Sequence, residues 1–194
     1  MDTRAQIIVA GRDLYVRHGE AGFSMRKLAR ELGLSAAAIY RHFPDKEHLL
    51  MEVCREGFEL FGSYLMRGLL GKTPLERLER IGRGYVEFAL EHPHYYRVMF
   101  MSPHPDYVKL QDRSSQAFSP TFQMLVDRVF ECQRAGDLSQ ELDAYKIAAS
   151  TWAHLHGAVS LWLDGHLTDL LPDDDAFRAF LERYHTHPTT SLRP

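Results

Sequence analysis

Apolar residues recur along this chain at spacings of three and four, the period of a helix with one buried face. The alternation expected of strands is absent, and prolines and glycines such as Gly19 and Gly136 fall between helical patterns. A first helix is predicted over residues 2–18, with Ile7, Ala10, Gly11 and Leu14 on one face and Gly19 as its stop. Two short helices follow within 24–42. Asp45 then caps a longer helix carrying Leu49, Leu50, Val53, Cys54, Phe58, Phe61 and Leu65. Thr73-Pro74-Leu75-Glu76 is a capping box with proline at the first helical position, opening a helix to about residue 91. Pro93 opens a short helix over 95–101, and Pro103 and Pro105 break the pattern into a mobile connection over 102–113. Further helices are predicted over 119–134, ending at Gly136, over 143–166, and over 173–185, with Asp173, Asp174 and Asp175 at the positive end of the last. The tail from Pro188 is expected to be disordered. The fold class is therefore all-α.

The segment 24–49, SMRKLARELGLSAAAIYRHFPDKEHL, is the most informative. Ala29, Gly33 and Ile39 stand at offsets 0, +4 and +10, the arrangement a helix-turn-helix requires. The alanine lets two helices cross closely, the glycine supplies a left-handed turn residue, and the isoleucine buries the second helix against the first. Ser24 can cap the first helix with Phe23 stapled onto Leu28. Ser35 can cap the second with Leu34 stapled onto Ile39. A helix held this way can enter a DNA major groove.

The residues Arg4-x-x-Ile7-Ile8, Ala10, Leu14-Tyr15, Gly19, Ser24-Met25-Arg26, Leu28-Ala29, Gly33-Leu34-Ser35, Ile39-Tyr40, His42-Phe43 and Lys46-Glu47-x-Leu49-Leu50 go beyond a generic motif. Together they resemble the N-terminal domain of TetR-family transcriptional regulators over about a quarter of the chain. Trp152-x-x-x-His156-Gly157 looks like a signature of one sub-group of the family's C-terminal domains. The resemblance implies a DNA-binding domain over residues 1–48, a helical-bundle ligand-binding and dimerisation domain over 49–187, and a tail over 188–194. It implies operator double-stranded DNA, a small-molecule effector and a second copy of the chain as partners. It also implies phosphate contacts from Ser24, Tyr40, His42 and Lys46.

One departure bears on sequence reading. The recognition helix starts Ser35-Ala36-Ala37-Ala38 where many relatives carry polar residues. Methyl groups can touch thymine methyls but donate no hydrogen bond. Base reading therefore falls to Arg26, Tyr40 and Arg41, or to DNA shape, with Ala36 and Ala37 in apolar contact.

Charge supports this division of labour. The chain of 194 residues carries a net charge of −3, unevenly spread. Residues 1–50 hold 8 Lys+Arg against 6 Asp+Glu, and the rest hold 15 against 20. A mildly positive end on an acidic body fits a protein that touches phosphate with one end only. At 45% hydrophobic residues there is ample material for a packed core, and no run approaches the length of a membrane span. No cleavable leader is evident. Cys54 and Cys132 lie in apolar helical patterns with no CxxC partner and read as buried thiols of a cytoplasmic protein.

The second domain is rich in large apolar side chains, among them Phe58, Phe61, Tyr85, Phe88, Met99, Phe122, Trp152 and Leu155, with His156 beside them. Periodicity alone does not separate pocket from core. Given the resemblance, these nine are the candidates for an apolar or aromatic effector. Within 143–166, Ala148, Trp152, Leu155, Val159 and Trp162 share a narrow arc, and Ser150, Ala153, Gly157, Ser160 and Asp164 lie opposite. The bulky arc suits the subunit interior. The small arc suits the partner's equivalent helix, together with Phe177, Phe180 and Leu181 of the last helix; packing within one chain is the alternative.

Eleven histidines raise the question of metal. His154 and His156 are two apart on a helix and point about 200° apart, so they cannot share an ion. His92 and His94 flank a proline with no third ligand nearby, and no HExxH, CxxC or Cys/His cluster exists. No GxSxG elbow or glycine-rich phosphate loop is present, so neither a metal, a cofactor nor an enzyme is expected. The competing reading is an all-helical enzyme or binding protein for an apolar small molecule, its N-terminal motif used only for packing.

Overall fold

The computed structural model describes residues 2–101 and 119–184, and these contain helices, turns and no strands. The chain divides into two compact units. One comprises residues 1–60 with 92–111, the other 61–91 with 112–194. The expectations for 102–113 and for the tail from 188 lie outside the described residues.

In the first unit, α1 (Thr3–Gly22) is interrupted where the glycine stop was predicted: Gly19 has φ 61°, and one further helical turn follows it. The helices α2 (Met25–Glu31) and α3 (Ala36–His42) come next, then α4 (Lys46–Arg67), whose residues up to Leu60 belong to this unit. A short α6 (Pro93–Tyr96) continues as a π-turn over Arg97–Met101. Ile7, Ile8, Leu14, Leu28, Ile39, Leu49 and Val53 are fully buried and form the centre. A side chain on Gly11 would collide with Leu49, so α1 and α4 approach closely there. Arg4 reaches across to Glu52 at 2.7 Å, and Arg55 holds the same carboxylate at 2.5 Å. The Arg4 guanidinium also lies 5.2 Å from the centre of the Phe43 ring. Arg12 covers the Tyr95 ring at 4.6 Å, and the Tyr95 hydroxyl donates to Glu56 at 3.2 Å. These contacts draw residues 49–60 and 92–101 into the first unit, which is thus larger than the 1–48 segment expected.

The second unit contains the end of α4, a 3₁₀ turn (Gly68–Leu70), α5 (Pro74–Glu91), α7 (Pro120–Ala135), α8 (Ala144–Leu163) and α9 (Asp174–Tyr184). Its capping follows the sequence. Thr73 accepts from the Glu76 amide at 3.1 Å, and the Glu76 carboxylate accepts from Lys72 at 2.7 Å, one residue earlier than in the usual reciprocal box. Asp143 caps α8 through the Lys146 amide at 3.0 Å, and Asp173 caps α9 through the Ala176 amide at 2.8 Å. The helix α8 ends three residues short of 166, because Gly165 adopts φ 80° and turns the chain. Leu78, Val126, Val129, Cys132, Leu138, Ala144, Ile147 and Ala148 form the core between α5, α7 and α8. Trp162 stacks on Phe177 at 5.0 Å and donates to Asp174 at 3.0 Å, fastening α9 to the end of α8.

Candidate functional site

The helix-turn-helix is built by local chemistry. Ser24 Oγ accepts from the Lys27 amide at 3.2 Å and opens α2. At its end the Leu34 amide bonds back to Ala29 O at 2.9 Å and Gly33 N to Arg30 O at 3.2 Å, the paired bonds of a Schellman turn. Gly33 at φ 65° is the residue that permits it. Ser35 Oγ then accepts from the Ala38 amide at 3.1 Å and opens α3. Ile39 and Leu28 are fully buried and Ala29 nearly so, which seats α3 on α2. Arg17 pairs with Glu31 at 2.9 Å and ties α1 to the end of α2.

This packing sorts the predicted contact residues. Ser24, Arg26, Ser35, Ala37, Tyr40, Arg41 and His42 are exposed, while Ala36 and Lys46 are half-buried. Tyr40 keeps 47% of its surface in solvent, a large exposure for an aromatic residue one position after the fully buried Ile39. Among the described residues, Arg26 and Arg41 enter no ion pair, whereas Arg4, Arg12 and Arg17 of the same unit are all engaged. The result is a face with uncommitted guanidinium groups, a phenol, an imidazole and small methyl side chains. Residue-type reasoning did not single out the Arg4–Glu52–Arg55 bridge, which fixes α1 against α4; partners 48 positions apart leave no local signature.

The candidates of the second domain separate into two groups. Phe58, half-buried against Phe100 at 5.8 Å, and Met99, buried beside Gly57, belong to the first unit. The other seven gather in the second. Phe61 contacts Tyr85 at 5.6 Å and Phe88 at 5.0 Å between ring centres. Tyr85 meets His156 at 3.1 Å and accepts from the Trp152 indole at 3.3 Å. Phe122 lies 6.1 Å from Trp152, and Leu155 faces Gly82. Burial lowers the His156 pKa from its ordinary value. Trp152 is less enclosed than its place on the bulky arc suggested, with 39% of its surface exposed.

On the opposite arc of α8, Ser150, Ala153 and Asp164 are exposed, and Gly157 and Ser160 are half-buried. Leu161, which was not among the candidates, is exposed on the same side. Phe177 and Leu181 correct the expectation for α9. Both are buried within their own chain, Phe177 completely under Trp162, and only Phe180 of that trio keeps partial exposure. Both cysteines are buried, with thiols pushed up by desolvation, Cys132 to about 12. Among the described residues no group of three or more His, Cys, Asp or Glu side chains is placed to hold a metal, and no helix is long and apolar enough to cross a membrane.

Residues 7–53 match the family model "Bacterial regulatory proteins, tetR family", and residues 78–184 match "Tetracyclin repressor-like, C-terminal domain". The second match alone covers more than half of the chain. The chain belongs to the TetR family. This is a family of transcriptional regulators, not of enzymes. Among TetR-family relatives, the HTH-type transcriptional regulator Mb1846 of Mycobacterium bovis is 24% identical over 137 residues, which are 69% of this chain and 58% of that protein. The chain thus spans little more than half the length of that relative. The HTH-type transcriptional repressor KstR2 of Mycobacterium tuberculosis is 25% identical over 158 residues, 77% of this chain and 78% of that protein. The solved structure of KstR2, described as a ketosteroid transcriptional regulator, superposes with a TM-score of 0.73 at 18% identity, covering 100% of this chain and 96% of that one. The fatty acid degradation regulator FadR from Bacillus halodurans superposes with a TM-score of 0.79 at 17% identity, covering 100% and 98%. These superpositions show the fold.

Proposed function

We propose that this TetR-family chain is a transcriptional repressor that binds near-palindromic operator DNA as a homodimer and is released by a small apolar or aromatic effector. The observation that carries the reading is the exposed, uncommitted face of the helix-turn-helix, with Arg26, Tyr40, Arg41 and His42 in solvent around a buried Ile39. Arg26 and Arg41 can read guanine edges or follow phosphates, Tyr40, His42 and Lys46 hold the backbone, and Ala36 and Ala37 meet thymine methyls. Ser24 and Ser35 orient the two helices and sit where phosphate oxygens approach.

In this reading residues 1–48 do the DNA binding and the remainder dimerises and senses. The outer arc of α8, with Ser150, Ala153, Gly157, Ser160 and Asp164, joins the partner together with Phe180. The effector lies among Phe61, Tyr85, Phe88, Phe122, Trp152, Leu155 and His156. It acts through α4, which begins just after the recognition helix and continues to Arg67 in the second unit. A ligand that favours wrongly spaced reading heads weakens DNA binding by some factor, and operator DNA weakens ligand binding by the same factor.

Selection of bound sequences from random DNA tests this reading. The expected winner carries two inverted half-sites about 10 base pairs apart, centre to centre, for heads separated by about 34–36 Å on one DNA face. Its affinity should fall steeply with salt. Absence of any enriched sequence, with equal binding to all DNA, would overturn the reading.

A further inference from the structure

The recognition helix α3 ends at Phe43. There the backbone leaves the helix at φ −138° and ψ 116°, while the Phe43 amide closes the last bond to Ile39 O at 3.0 Å. The Phe43 ring is buried. Two residues on, Asp45 accepts from the His48 amide at 2.8 Å and opens α4. Phe43 is thus the joint between the helix that meets DNA and the helix that leads out of the motif.

Arg4, in the first turn of α1, reaches this joint. Its guanidinium lies 5.2 Å from the centre of the Phe43 ring and 2.7 Å from a Glu52 carboxylate oxygen on α4. One side chain of α1 therefore touches both the end of α3 and the second turn of α4. The Glu52 carboxylate is held in place from its own helix. Arg55 donates to it from Nε at 3.0 Å and from a terminal nitrogen at 2.5 Å, and also pairs with Glu59. The Arg55 guanidinium, and then that of Arg4, keep the Glu52 carboxyl at about 2, so this anchor is charged at any pH suited to DNA binding. A guanidinium can give its edge to a carboxylate and its face to a ring, whereas a lysine ammonium is a point charge without that geometry.

We propose that Arg4 is a positioning residue for sequence reading: by tying Phe43 to Glu52 it sets the C-terminal half of the recognition helix, with Tyr40 and Arg41, and it binds no phosphate itself. The proposal rests on the DNA-reading face described above and adds what aims it. A cation near the start of α1 in a DNA-binding domain invites the phosphate reading. The charge of Arg4, however, is already met by a carboxylate, and a phosphate drawn to Arg4 would be repelled by Glu52. A phosphate contact strengthens binding to every sequence. A positioning contact strengthens only the sequence whose bases meet correctly placed side chains.

The full-length protein and its variants are titrated by fluorescence anisotropy against the selected operator and a scrambled duplex, over a range of salt, with helical content checked by circular dichroism. Arg4→Lys keeps the charge and loses the strut. It should weaken operator binding by about three- to tenfold per half-site, the combined worth of a partly exposed ion pair and a cation–π contact. In a two-fold complex that becomes about ten- to hundredfold. Binding to the scrambled duplex and the salt slope should stay as in the wild type, because no phosphate contact is lost. Arg4→Gln should fall with Arg4→Lys. Glu52→Gln should reproduce the loss, and Arg4→Lys combined with Glu52→Gln should be no worse than either alone, as for groups acting as a unit. Arg12→Gln breaks another cation–π contact of α1, with Tyr95 at 4.6 Å, and should lower the urea midpoint without changing the ratio of operator to scrambled binding. Sequence selection repeated with Arg4→Lys should relax a base position other than the one lost in Arg26→Ala. Wild-type behaviour of Arg4→Lys, or equal weakening of both duplexes by Arg4→Gln with a salt slope flatter by about one unit, makes Arg4 a phosphate ligand and overturns the proposal. Additive losses overturn it as well, and so does a fall in the ratio for Arg12→Gln equal to that for Arg4→Lys; in each case the regulator reading stands. A wild type that does not distinguish the two duplexes refutes the DNA-reading account, and the proposal with it.

Discussion

Gly157→Leu separates packing within the chain from packing between chains. A Cβ built on Gly157 meets nothing within 4 Å, so a side chain can leave the backbone there without a clash at its first atom. The helical backbone of α8 gains about 0.8–1 kcal/mol by losing a glycine. In a dimer joined along Ser150, Ala153, Gly157, Ser160 and Asp164, the same side chain enters a close helix crossing. Overpacking costs about 1–3 kcal/mol per site, and a two-fold interface meets the substitution twice. The association free energy should therefore drop by about 2–6 kcal/mol, which weakens the dimer roughly thirty-fold to twenty-thousand-fold. Sedimentation velocity over a concentration series reads the dimer, and circular dichroism at 20 °C reads the helices. The expected result is a monomer with full helical content and collapsed operator affinity. A variant that stays dimeric at wild-type concentrations refutes the assignment of the interface to this arc, and loss of helix refutes the claim that the site is open within the chain.

Other consequences follow from the first unit. Ser35→Ala removes the acceptor for the Ala38 amide and should cost about 1 kcal/mol, read as a lower urea midpoint, while Ser35→Asp should retain most of it. Gly33→Ala places a side chain at φ 65° with no neighbour to blame, so the cost should be conformational, about 1–2 kcal/mol, and equal midpoints would show that the turn relaxes. Glu52 is held at about 2 by Arg55 and then Arg4, against an ordinary value of 4.5. As pH falls below 4.5 the unfolded chain takes up this proton first, so the contribution is complete above 4.5 and lost as pH descends toward 2. Urea midpoints from pH 7 to 2.5 should show that loss in the wild type and a shallower one in Glu52→Gln.

The legible parts of this protein were those written in local chemistry. Ser24, Ser35, Asp45, Thr73 and Asp173 each stand at a helix start, Gly33 and Gly136 each adopt the positive φ that ends a helix, and Gly19 breaks α1 with one turn still to follow. Such signals act within four residues and need no knowledge of the partner. What required the partner was less legible. Phe58 and Met99 share the character of Phe61 and Phe88 but belong to the first unit, since periodicity says that a face is buried and not against what. Phe177 and Leu181 were expected at a subunit contact, yet Trp162 and the end of α8 enclose Phe177 completely within the chain. The Trp152–Tyr85–His156 chain was also unread as a unit. The spacing of 152 and 156 placed two polar-edged rings on adjoining turns, but Tyr85, more than sixty residues earlier, carries no mark that they share it.

The central claim is that the exposed face of the helix-turn-helix reads DNA sequence, and Arg26→Ala beside Lys46→Ala tests it most directly. Each variant is titrated by fluorescence anisotropy against the selected operator and a scrambled duplex, over a range of salt. Arg26→Ala should lose about 1–3 kcal/mol on the operator and relax preference at one base position. Lys46→Ala should weaken both duplexes alike and flatten the salt slope by about one unit. If Arg26→Ala binds the operator with unchanged affinity and selects an unchanged sequence, Arg26 is not a reader of bases. If the wild type itself fails to distinguish the two duplexes, the DNA-reading account is contradicted.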